Sequence, residues 1–470
     1  MEPAQPRTQR STLAILVVAG AILGFGALFA LANYSPDPPS SSAGVADPFA
    51  KGKAKVNKAK VPRVDPETLW VEGEPFERPA APAGAKNVVL VVLTAVRKDA
   101  LTPYGAPPDR TPVLQDLASK GARFTDALAA APFSRQSAVA YLSGRHALGV
   151  GAVEPSPDPD ESVLPADAQT LAEALRAAGW HTFGVTANPN LDTPTGLAQG
   201  FDRYRNAPPN GFTPGARVEG EALVPAALEA LTKRTPEQVA RPFYLQLDLV
   251  DAHAPLRVMN ELEEKFDPSQ PNAAYRVAVW REDKFVGRLL EGLAELGHTV
   301  ATDTYVVVIS DHGEGNEDPP HHGKMHGKLL YDSVISIPWI VAGPNVAPNR
   351  LVGGLASQTD VMPTVLGLVG LPAPAGVDGQ SWAPMLFGEG DRTTRTRAFS
   401  DTWFGGVNRA AVWTEAMMCQ KDFGSVGADD PFADGCYERR TDPLSTNLKQ
   451  DPALQAELDA WRAEQTKATP

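Results

Sequence analysis

The apolar run NVVLVVL, Asn87–Leu93, constrains the fold of this chain more than any other stretch. Its continuous β-branched character is typical of a strand that is covered on both faces in a parallel sheet. The run ends at Thr94-Ala95 and gives way to a charged turn. Ligand-binding residues of parallel sheets collect beyond the carboxyl ends of the strands, so this turn is a candidate functional position.

Helix signals follow the first strand. Thr111 as N-cap, Pro112 in the first turn and Gly121 beyond the end predict one helix. The capping box Thr170-Leu-Ala-Glu173 opens another, which is predicted to close at Gly179 before the strand HTFGVTA.

Two further apolar runs, FYLQLDLV (243–250) and TYVVVIS (304–310), flank an amphipathic helix from about Tyr275 to Leu296. Strands that alternate with helices predict an α/β fold with a central, mostly parallel sheet flanked by helices.

Residues 12–32, TLAILVVAGAILGFGALFALA, form a segment of 21 uncharged residues. As a helix it would rise about 30 Å, enough to cross the hydrocarbon core of a bilayer. Arg7 and Arg10 precede it, which favours a cytoplasmic N-terminus at 1–11 and an extracytoplasmic remainder, periplasmic or extracellular. We therefore expect a transmembrane signal-anchor. The alternative is a cleaved signal peptide, because Ala30-Leu31-Ala32 resembles a cleavage site.

Residues 33–86 are rich in Pro, Ser, Ala and Lys, and they show little apolar periodicity. This composition predicts a linker between the membrane segment and the folded part of the chain. The linker contains KGKAKVNKAK at 51–60, whose five lysines begin at the limit of the distance over which charges set topology.

Composition excludes some classes of function. The formal net charge is -13, which argues against nucleic-acid binding because neutralising phosphates requires clustered Lys and Arg. Cys419 and Cys436 are the only cysteines, so neither a thiolate metal cluster nor a disulfide framework is available. The two cysteines share one loop-rich stretch, where they form either a single bridge or two unrelated thiols.

Four places lie where binding residues are expected, just beyond the ends of predicted strands or in a neighbouring loop. They are Thr94-Ala95, Asp251-Ala252-His253, Ser310-Asp311-His312 and the loop that carries Ser134. Carboxylate oxygen and imidazole nitrogen both suit a divalent cation. The strand end Asp-His-Gly-Glu is therefore a good position for a metal.

These residues resemble the sulfatase and phosphodiesterase branch of the alkaline phosphatase superfamily, from about Asn87 to about Trp461. Five blocks in family order carry the resemblance: NVVLVVLTAVRKDALTPYG, APFSRQSAVAYLSGR, LDLVDAHAPL, VVVISDHGEG with HGKLLYDSVISIP, and DVMPTVLGLVGLPAPAGVDGQSWAPML. The tail CYERRTDPLSTNLKQDPALQAEL resembles the family's closing hairpin and final helix. The resemblance implies a sulfatase-like α/β domain at 87–390 and a small C-terminal α+β subdomain with a tail at 391–470.

The resemblance also implies metal-assisted attack of a side-chain nucleophile on a sulfate or phosphate ester. Ser134 falls on the nucleophile position, ahead of a helix that ends in Leu142-Ser143-Gly144-Arg145; the alternative is that Ser134 is a simple N-cap. His253 and His326 match catalytic positions that face the ester oxygens or the leaving group, and imidazole can donate a proton at neutral pH.

Two cationic residues are assigned to the substrate. Arg135 and Lys328 would contact the ester anion, with Lys324 in place of Lys328 if the loop shifts; a solvated loop lysine is the alternative. His321 and His322, in the loop NEDPPHH, are expected to be surface residues.

Asp311 and His312 match the family's metal pair, and Thr94 occupies a third ligand position. The alternative is a hydrogen-bonded pair at the strand end. Asp251 is expected to orient its neighbours. We expect one divalent cation at most, Ca, Mg or Mn, because no histidine follows His326 in this chain, whereas two-metal members of the superfamily use a late histidine.

This chain departs from the family pattern at two points. The family's first strand ends in one or two acidic residues, whereas Thr94 and Ala95 stand here, and a hydroxyl is a poorer ligand than a carboxylate for a hard cation. Ser134-Arg-Gln-Ser-Ala138 also lacks the x-Pro-x-Arg that directs oxidation to formylglycine, so that modification is not expected. The sequence predicts an ester hydrolase, with a catalytically degenerate binding or scaffold protein of the cell envelope and a head-group phosphotransferase as alternatives.

Overall fold

The computed structural model describes residues 66–152, 164–208, 219–256, 266, 272–316, 326–390, 395–426, 434–442 and 445–467. The strands within these ranges are β1 (Trp70–Glu72), β2 (Asn87–Leu93), β3 (Ala122–Leu128), β4 (His181–Val185), β5 (Arg203–Arg205), β6 (Phe243–Leu249), β7 (Thr304–Ser310), β8 (Ser336–Ile337), β9 (Trp339–Ala342), β10 (Arg350–Ser357), β11 (Ala398–Thr402), β12 (Arg409–Trp413), β13 (Met417–Asp422) and β14 (Gly435–Glu438). The α-helices are α1 (Pro112–Lys120), α2 (Ser134–Ser143), α3 (Leu171–Ala177), α4 (Gly220–Thr232), α5 (Pro236–Val239), α6 (Ala273–Glu295), α7 (Asp332–Ile335), α8 (Val361–Leu368), α9 (Ala383–Leu386) and α10 (Pro452–Lys467).

A large mixed sheet organises the fold. Its strand order is β1-β5-β4-β6-β2-β7-β9-β3-β10, and β8 pairs with β3. The neighbours from β5 to β7 are all parallel, as are β3 and β10. Most strands share one direction, as predicted, but the sheet is mixed, because β1, β8 and β9 run against the other strands. β8 and β9 are too short to give a distinct sequence pattern.

Both faces of the large sheet are covered, as the run in β2 predicts. Alternate β2 side chains enter two separate hydrophobic cores: Val88, Leu90 and Val92 enter one, and Val89, Val91 and Leu93 enter the other. Every residue of β2 is buried. The predicted helices α1, α3 and α6 are present, and the Thr170 capping box at the start of α3 is confirmed.

The predicted linker 33–86 is folded in its last part, which corrects that boundary. Strand β1 extends the edge of the large sheet by pairing with β5. Leu69 is buried, and the guanidinium of Arg203 lies 4.5 Å from the ring centroid of Trp70. The contacts of Leu69 and Trp70 hold this end of the predicted linker against the large sheet. Its apolar residues follow no strand or helix periodicity, which is why the sequence did not reveal it.

A second, antiparallel sheet with the order β11-β12-β13-β14 forms the C-terminal region together with α10. Its hairpin and final helix agree with the predicted α+β subdomain. Cys419 and Cys436 face each other across β13 and β14 and form a disulfide, so the bridge is the alternative that the structure supports. The backbone N–H of Asp401 donates to the carbonyl of Ala130 at 2.9 Å, which joins β11 to the loop before Ser134.

The predicted membrane segment 12–32, and with it the N-terminus 1–11 and the lysine-rich stretch, lies outside the described residues. In the part of the chain that is described, no helix combines the length and the apolar character that a membrane crossing requires.

Asp283 of α6 stabilises the start of α1 across the interface between the two helices. Its carboxylate accepts hydrogen bonds from the backbone N–H groups of Val113 at 3.2 Å and Leu114 at 2.8 Å. Burial raises the pKa of Asp283 to about 6, against about 3.9 for an unfolded chain. As the pH falls, Asp283 therefore binds a proton at a higher pH in the folded protein than in the unfolded chain.

This difference predicts how the free energy of unfolding depends on pH. Lowering the pH from about 7 to about 4 should stabilise the wild type relative to Asp283→Asn by up to about 3 kcal/mol. Asparagine keeps the shape and an acceptor oxygen but carries no charge at any pH, so the other acid-labile groups cancel in the comparison. Urea denaturation of both proteins across this range measures the difference, and a constant gap between them would refute the assignment.

Candidate functional site

Three neighbouring parallel strands bring the predicted site together. Leu93 at the end of β2 is in register with Leu249 of β6 on one side and Ser310 of β7 on the other. The residues that follow these strands therefore emerge side by side at one edge of the sheet. This edge holds Thr94, the turn 251–253 and Asp311-His312, as the sequence predicts.

Ser134 lies at this edge as the first residue of α2. Phe133 occupies the N-cap position, and no side chain caps the helix. The alternative that Ser134 is a simple N-cap is therefore wrong. Ser134 is 1% exposed, and its Oγ lies 3.3 Å from Nε2 of His312. A helix N-terminus at this position favours a negatively charged group nearby.

Asp311 and His312 present two acceptor atoms to the same space. Nδ1 of His312 donates to the carbonyl of Gly313 at 2.8 Å, which leaves Nε2 without a proton in the neutral ring. Burial and the neighbouring His326 lower the pKa of His312 to about 3. Oδ2 of Asp311 lies 3.4 Å from this bare nitrogen.

The other carboxylate oxygen of Asp311 is fixed by the backbone. Oδ1 accepts from the N–H groups of Ala95 at 2.9 Å and His312 at 2.7 Å. Burial raises the pKa of Asp311, and these hydrogen bonds oppose the rise. Asp311 therefore makes the predicted strand-end hydrogen bonds through Oδ1. Its other oxygen, Oδ2, takes part in neither of them.

The donor atoms around Ser134 fit one divalent cation. Among the described residues, Oδ2 of Asp311 and Oγ1 of Thr94 are buried and have no hydrogen-bond partner. Oδ2 of Asp311 and Nε2 of His312 lie 3.4 Å apart, and their lone pairs repel each other unless a cation or a proton lies between them. Carboxylate, imidazole and hydroxyl donors are all cation ligands, although only one of these groups is anionic. In the same described ranges, no group of three His, Cys, Asp or Glu side chains is placed to hold a metal.

Three imidazole rings form a cluster beside Ser134. The ring centroids of His312 and His326 are 4.2 Å apart, and those of His253 and His326 are 4.9 Å apart. Burial and the neighbouring His326 lower the pKa of His253 to about 3, so His253 is neutral near pH 7. A neutral His253 can orient an ester oxygen or accept a proton, but it is a poor proton donor.

Glu314 is a functional candidate that the sequence prediction did not assign. Its Oε2 accepts from Nδ1 of His326 at 3.1 Å, which fixes the ring and leaves Nε2 for a substrate. A carboxylate on one nitrogen stabilises the imidazolium that forms when the other nitrogen exchanges a proton. The sequence feature that could have identified Glu314 is its place at the end of the run Asp-His-Gly-Glu, directly after a predicted strand.

Gln358 was also missed, and it ties the nucleophile loop to the metal pair. Its amide oxygen accepts from the N–H of Ala130 at 2.9 Å, and its amide nitrogen donates to the carbonyls of Ser310 at 2.9 Å and Asp311 at 2.5 Å. Gln358 is 1% exposed. No local motif identifies it, because its partners are distant in sequence.

The remaining predicted site residues are less closely connected. Arg135 is buried in the first turn of α2, next to Ser134. The side chain of Lys328 passes near Gly405, and the described contacts do not join it to Ser134. Lys324, His321 and His322 lie outside the described residues. Asp251 accepts from the N–H of Gly220 at 3.0 Å, and its expected role in orienting its neighbours stays a prediction.

Comparison with known proteins decides the family. The family model described as Sulfatase matches residues 86–371, which is more than half of the chain. The chain belongs to the sulfatase family. This family is part of the alkaline phosphatase superfamily.

Relatives and solved structures agree with membership in the sulfatase family. Arylsulfatase A of Bos taurus is 26% identical over 448 residues, which cover 82% of this chain and 86% of the relative. The structure of the phosphonate monoester hydrolase of Agrobacterium radiobacter aligns with a TM-score of 0.65 at 19% identity, covering 82% of this chain and 95% of that one. A 2-O GAG sulfatase aligns with a TM-score of 0.63 at 19% identity, covering 81% and 90%. At these identities, the solved structures establish the fold.

The strand tip is where this sulfatase-family chain differs from the pattern that the motifs imply. Ala95 has a left-handed backbone with φ 61°, and its N–H rather than its side chain holds Asp311. The carbonyl of Ala95 accepts from the hydroxyl of Tyr275 at 2.8 Å. The backbone therefore keeps the turn and the position of Asp311, while the side chains at 94 and 95 add no negative charge.

Proposed function

We propose that this protein hydrolyses a sulfate or phosphate ester, with Ser134 as the nucleophile and one divalent cation at Asp311 and His312. The observation that carries the proposal is the position of the Ser134 hydroxyl, which lies at the start of α2 and 3.3 Å from the unprotonated Nε2 of His312. Family membership supports the reaction class.

In this proposal, the Ser134 hydroxyl gives its proton to water, Oγ attacks the sulfur or phosphorus atom, and the bond from that atom to the leaving oxygen breaks. Nε2 of the His326 imidazolium, which Glu314 stabilises through Nδ1, donates a proton to the leaving oxygen and leaves the ring neutral. Water then attacks the sulfur or phosphorus atom held on Ser134 and gives one proton back to His326. The bond from that atom to Oγ breaks, the serine oxygen takes up a proton from water, and inorganic sulfate or phosphate is released. His253 orients an ester oxygen.

Asp311 Oδ2, His312 Nε2, Thr94 Oγ1 and Ser134 Oγ would hold the cation, which is Ca, Mg or Mn. When bound, a divalent cation lowers the pKa of the serine hydroxyl and withdraws charge from the ester oxygens. The tautomer of His312, fixed by the Gly313 carbonyl, keeps Nε2 available for this role. Ser134 stays a serine, because the residues that direct its oxidation are absent from 135–138.

Turnover in labelled water tests the reaction. The full-length protein is given 4-nitrophenyl sulfate or 4-nitrophenyl phosphate with Mg²⁺, Ca²⁺ or Mn²⁺ in H₂¹⁸O. We expect release of nitrophenol from at least one ester, with the label in the inorganic anion. A head-group phosphotransferase would instead pass the group to an alcohol with little release to water, and a binding or scaffold protein would release nothing.

Thr94 offers a test of the cation site. Thr94→Val removes the unpartnered hydroxyl and should weaken cation affinity about tenfold, whereas Thr94→Asp adds a carboxylate and should strengthen it about tenfold. Thr94→Asp should not increase kcat, because the proposed site is adapted to threonine. Isothermal titration with Mn²⁺ and thermal shift with and without the cation give both affinities without relying on turnover.

Two outcomes would count against Thr94 as a ligand. Unchanged Mn²⁺ affinity in Thr94→Val would remove the hydroxyl from the ligand set. A large gain in both affinity and kcat in Thr94→Asp would favour the degenerate-site alternative, in which the family's acidic residue has been lost.

The location proposed for this activity is the outer side of a membrane, with residues 12–32 as the anchor. The uncharged segment and the preceding Arg7 and Arg10 support it. Membrane fractionation of the full-length protein, followed by protease treatment of intact cells, tests it. Recovery of a soluble form that lacks residues 1–32 would support the signal-peptide alternative instead.

A further inference from the structure

A cavity of about 430 Å³ opens beside the candidate site. Its described lining includes three arginines, Arg97, Arg110 and Arg276, and a single carboxylate, Asp99. The chain as a whole has a formal net charge of -13. Three arginines in one cavity therefore make a locally positive region in a negatively charged protein. Such a cavity attracts anions.

Arg110 and Arg276 are the two lining arginines for which no ion pair with Asp99 is described. Asp99 forms a bidentate pair with Arg97, at 2.9 Å and 2.7 Å, and so neutralises it. One terminal nitrogen of Arg110 is buried and has no hydrogen-bond partner among the described residues. The guanidinium of Arg110 also stacks 4.4 Å from the ring centroid of Phe266, which limits its orientation. Burial and the charge of Arg276 lower the pKa of Arg110, while Asp109 opposes this.

The first turn of α6 contributes to the same cavity. Asn272, Tyr275 and Arg276 line it, and Asn272 is the N-cap of this 23-residue helix. Asn272 has a left-handed backbone with φ 60°, and its side chain makes no capping hydrogen bond. The amide N–H groups of a first helical turn have no partner within the helix, and they favour an anion.

Hydrogen bonds connect the cavity to the candidate site. The hydroxyl of Tyr275 accepts from the N–H of Arg97 at 2.8 Å and donates to the carbonyl of Ala95 at 2.8 Å. The guanidinium of Arg97 donates to the carbonyl of Glu314 at 3.3 Å. The same Ala95 and Glu314 position Asp311 and His326. The cavity lining is therefore hydrogen-bonded to the residues that position the proposed cation ligand Asp311 and the proposed acid His326.

We propose that this cavity binds a second anionic group of the substrate, a sulfate, phosphate or carboxylate, through Arg110, Arg276 and the start of α6. The substrate of this protein is then an ester that carries at least two negative groups. This inference rests on the proposed function, since it assigns the second group to the molecule that Ser134 attacks.

Binding of a non-reacting probe tests the cavity separately from turnover. Ser134→Ala protein is titrated calorimetrically with sucrose octasulfate as the polyanionic probe and with inorganic sulfate as the single-anion probe. Adding Arg110→Gln and Arg276→Gln should weaken octasulfate binding about 100-fold, about tenfold for each lost charge-assisted contact. Inorganic sulfate binding should change less than about twofold.

The matched control removes two charges elsewhere. Arg440 and Lys467 are exposed and lie outside the cavity lining, so Arg440→Gln with Lys467→Gln should leave octasulfate binding within about twofold at the same ionic strength. Circular dichroism establishes that each variant is folded. The Arg276→Gln single variant is measured as well, because it changes only a partly exposed side chain.

Each outcome bears on the proposal. Equal octasulfate affinity in the cavity variant and its parent would overturn it, as would equal losses in the cavity variant and the control. A large loss of inorganic sulfate binding in the cavity variant would show a site for a free anion and overturn the assignment to the substrate. If octasulfate binding depends on the two arginines but no ester is turned over by the wild type, the proposed hydrolysis fails while the anion cavity stands.

Discussion

Replacing Ser134 with alanine is expected to lower kcat at least about 1,000-fold for whichever aryl ester the wild type hydrolyses. The reason is that the hydroxyl at the start of α2 forms the bond to sulfur or phosphorus, and no other described side chain lies in its place. Cation binding should weaken far less, because Asp311 and His312 remain. Steady-state kinetics and Mn²⁺ titration on the same preparation measure both effects.

Ser143→Ala is the matched control for this change. Ser143 lies at the other end of α2, is also buried, and donates to the carbonyl of Val139 at 2.6 Å within the helix. This substitution also removes a serine hydroxyl from α2, but one that the proposal does not place in the reaction. It should leave kcat within about threefold and lower the free energy of unfolding by about 1 kcal/mol. Equal losses of activity in the two variants would indicate a structural role for Ser134, not a chemical one.

Replacing Asp311 with asparagine should weaken cation affinity at least about 100-fold and lower turnover with it, because Asp311 supplies the one negative charge of the proposed ligand set. Asparagine keeps an acceptor for the N–H groups of Ala95 and His312, so the turn should persist. The expected signature is a kcat that recovers in part at high Mn²⁺ concentration. Titration calorimetry and the dependence of rate on Mn²⁺ provide the measurement.

Asp116→Asn controls for the lost negative charge. Asp116 lies on the exposed face of α1, where it pairs with Lys120. An exposed ion pair contributes little, so this variant should match the wild type in cation affinity and rate. Full activity of Asp311→Asn without added cation would exclude the proposed metal role of Asp311.

Much of the fold was predictable because β2, β6 and β7 each have a continuous apolar run. Such runs specify buried parallel strands, and the rule for their carboxyl ends then placed Thr94, His253, Asp311 and His312 at one edge. The edge strand β1 was missed, since three residues that pair at one side of a sheet need no periodic pattern. β8 and β9, of two and four residues, were missed because they are too short to give a distinct pattern, and with β1 they make the sheet mixed.

The candidate site was predictable only where residues follow strand ends or match a motif. Ser134 could be located, but its position as first helical residue required the backbone of Phe133. Glu314 and Gln358 act through partners at His326 and Ala130, contacts that no local pattern encodes. The anion cavity is likewise a tertiary feature, because Arg110 and Arg276 are 166 positions apart in the sequence.

Cation content and turnover, measured together on one preparation of the wild-type protein, test whether it is a cation-dependent ester hydrolase. The protein is stripped with a chelator, titrated with Mn²⁺, Mg²⁺ and Ca²⁺, and assayed at each step with 4-nitrophenyl sulfate and 4-nitrophenyl phosphate. We expect one bound cation per chain and hydrolysis of at least one ester at a rate that rises in proportion to cation occupancy. Protein that binds none of these cations and hydrolyses neither ester would contradict it.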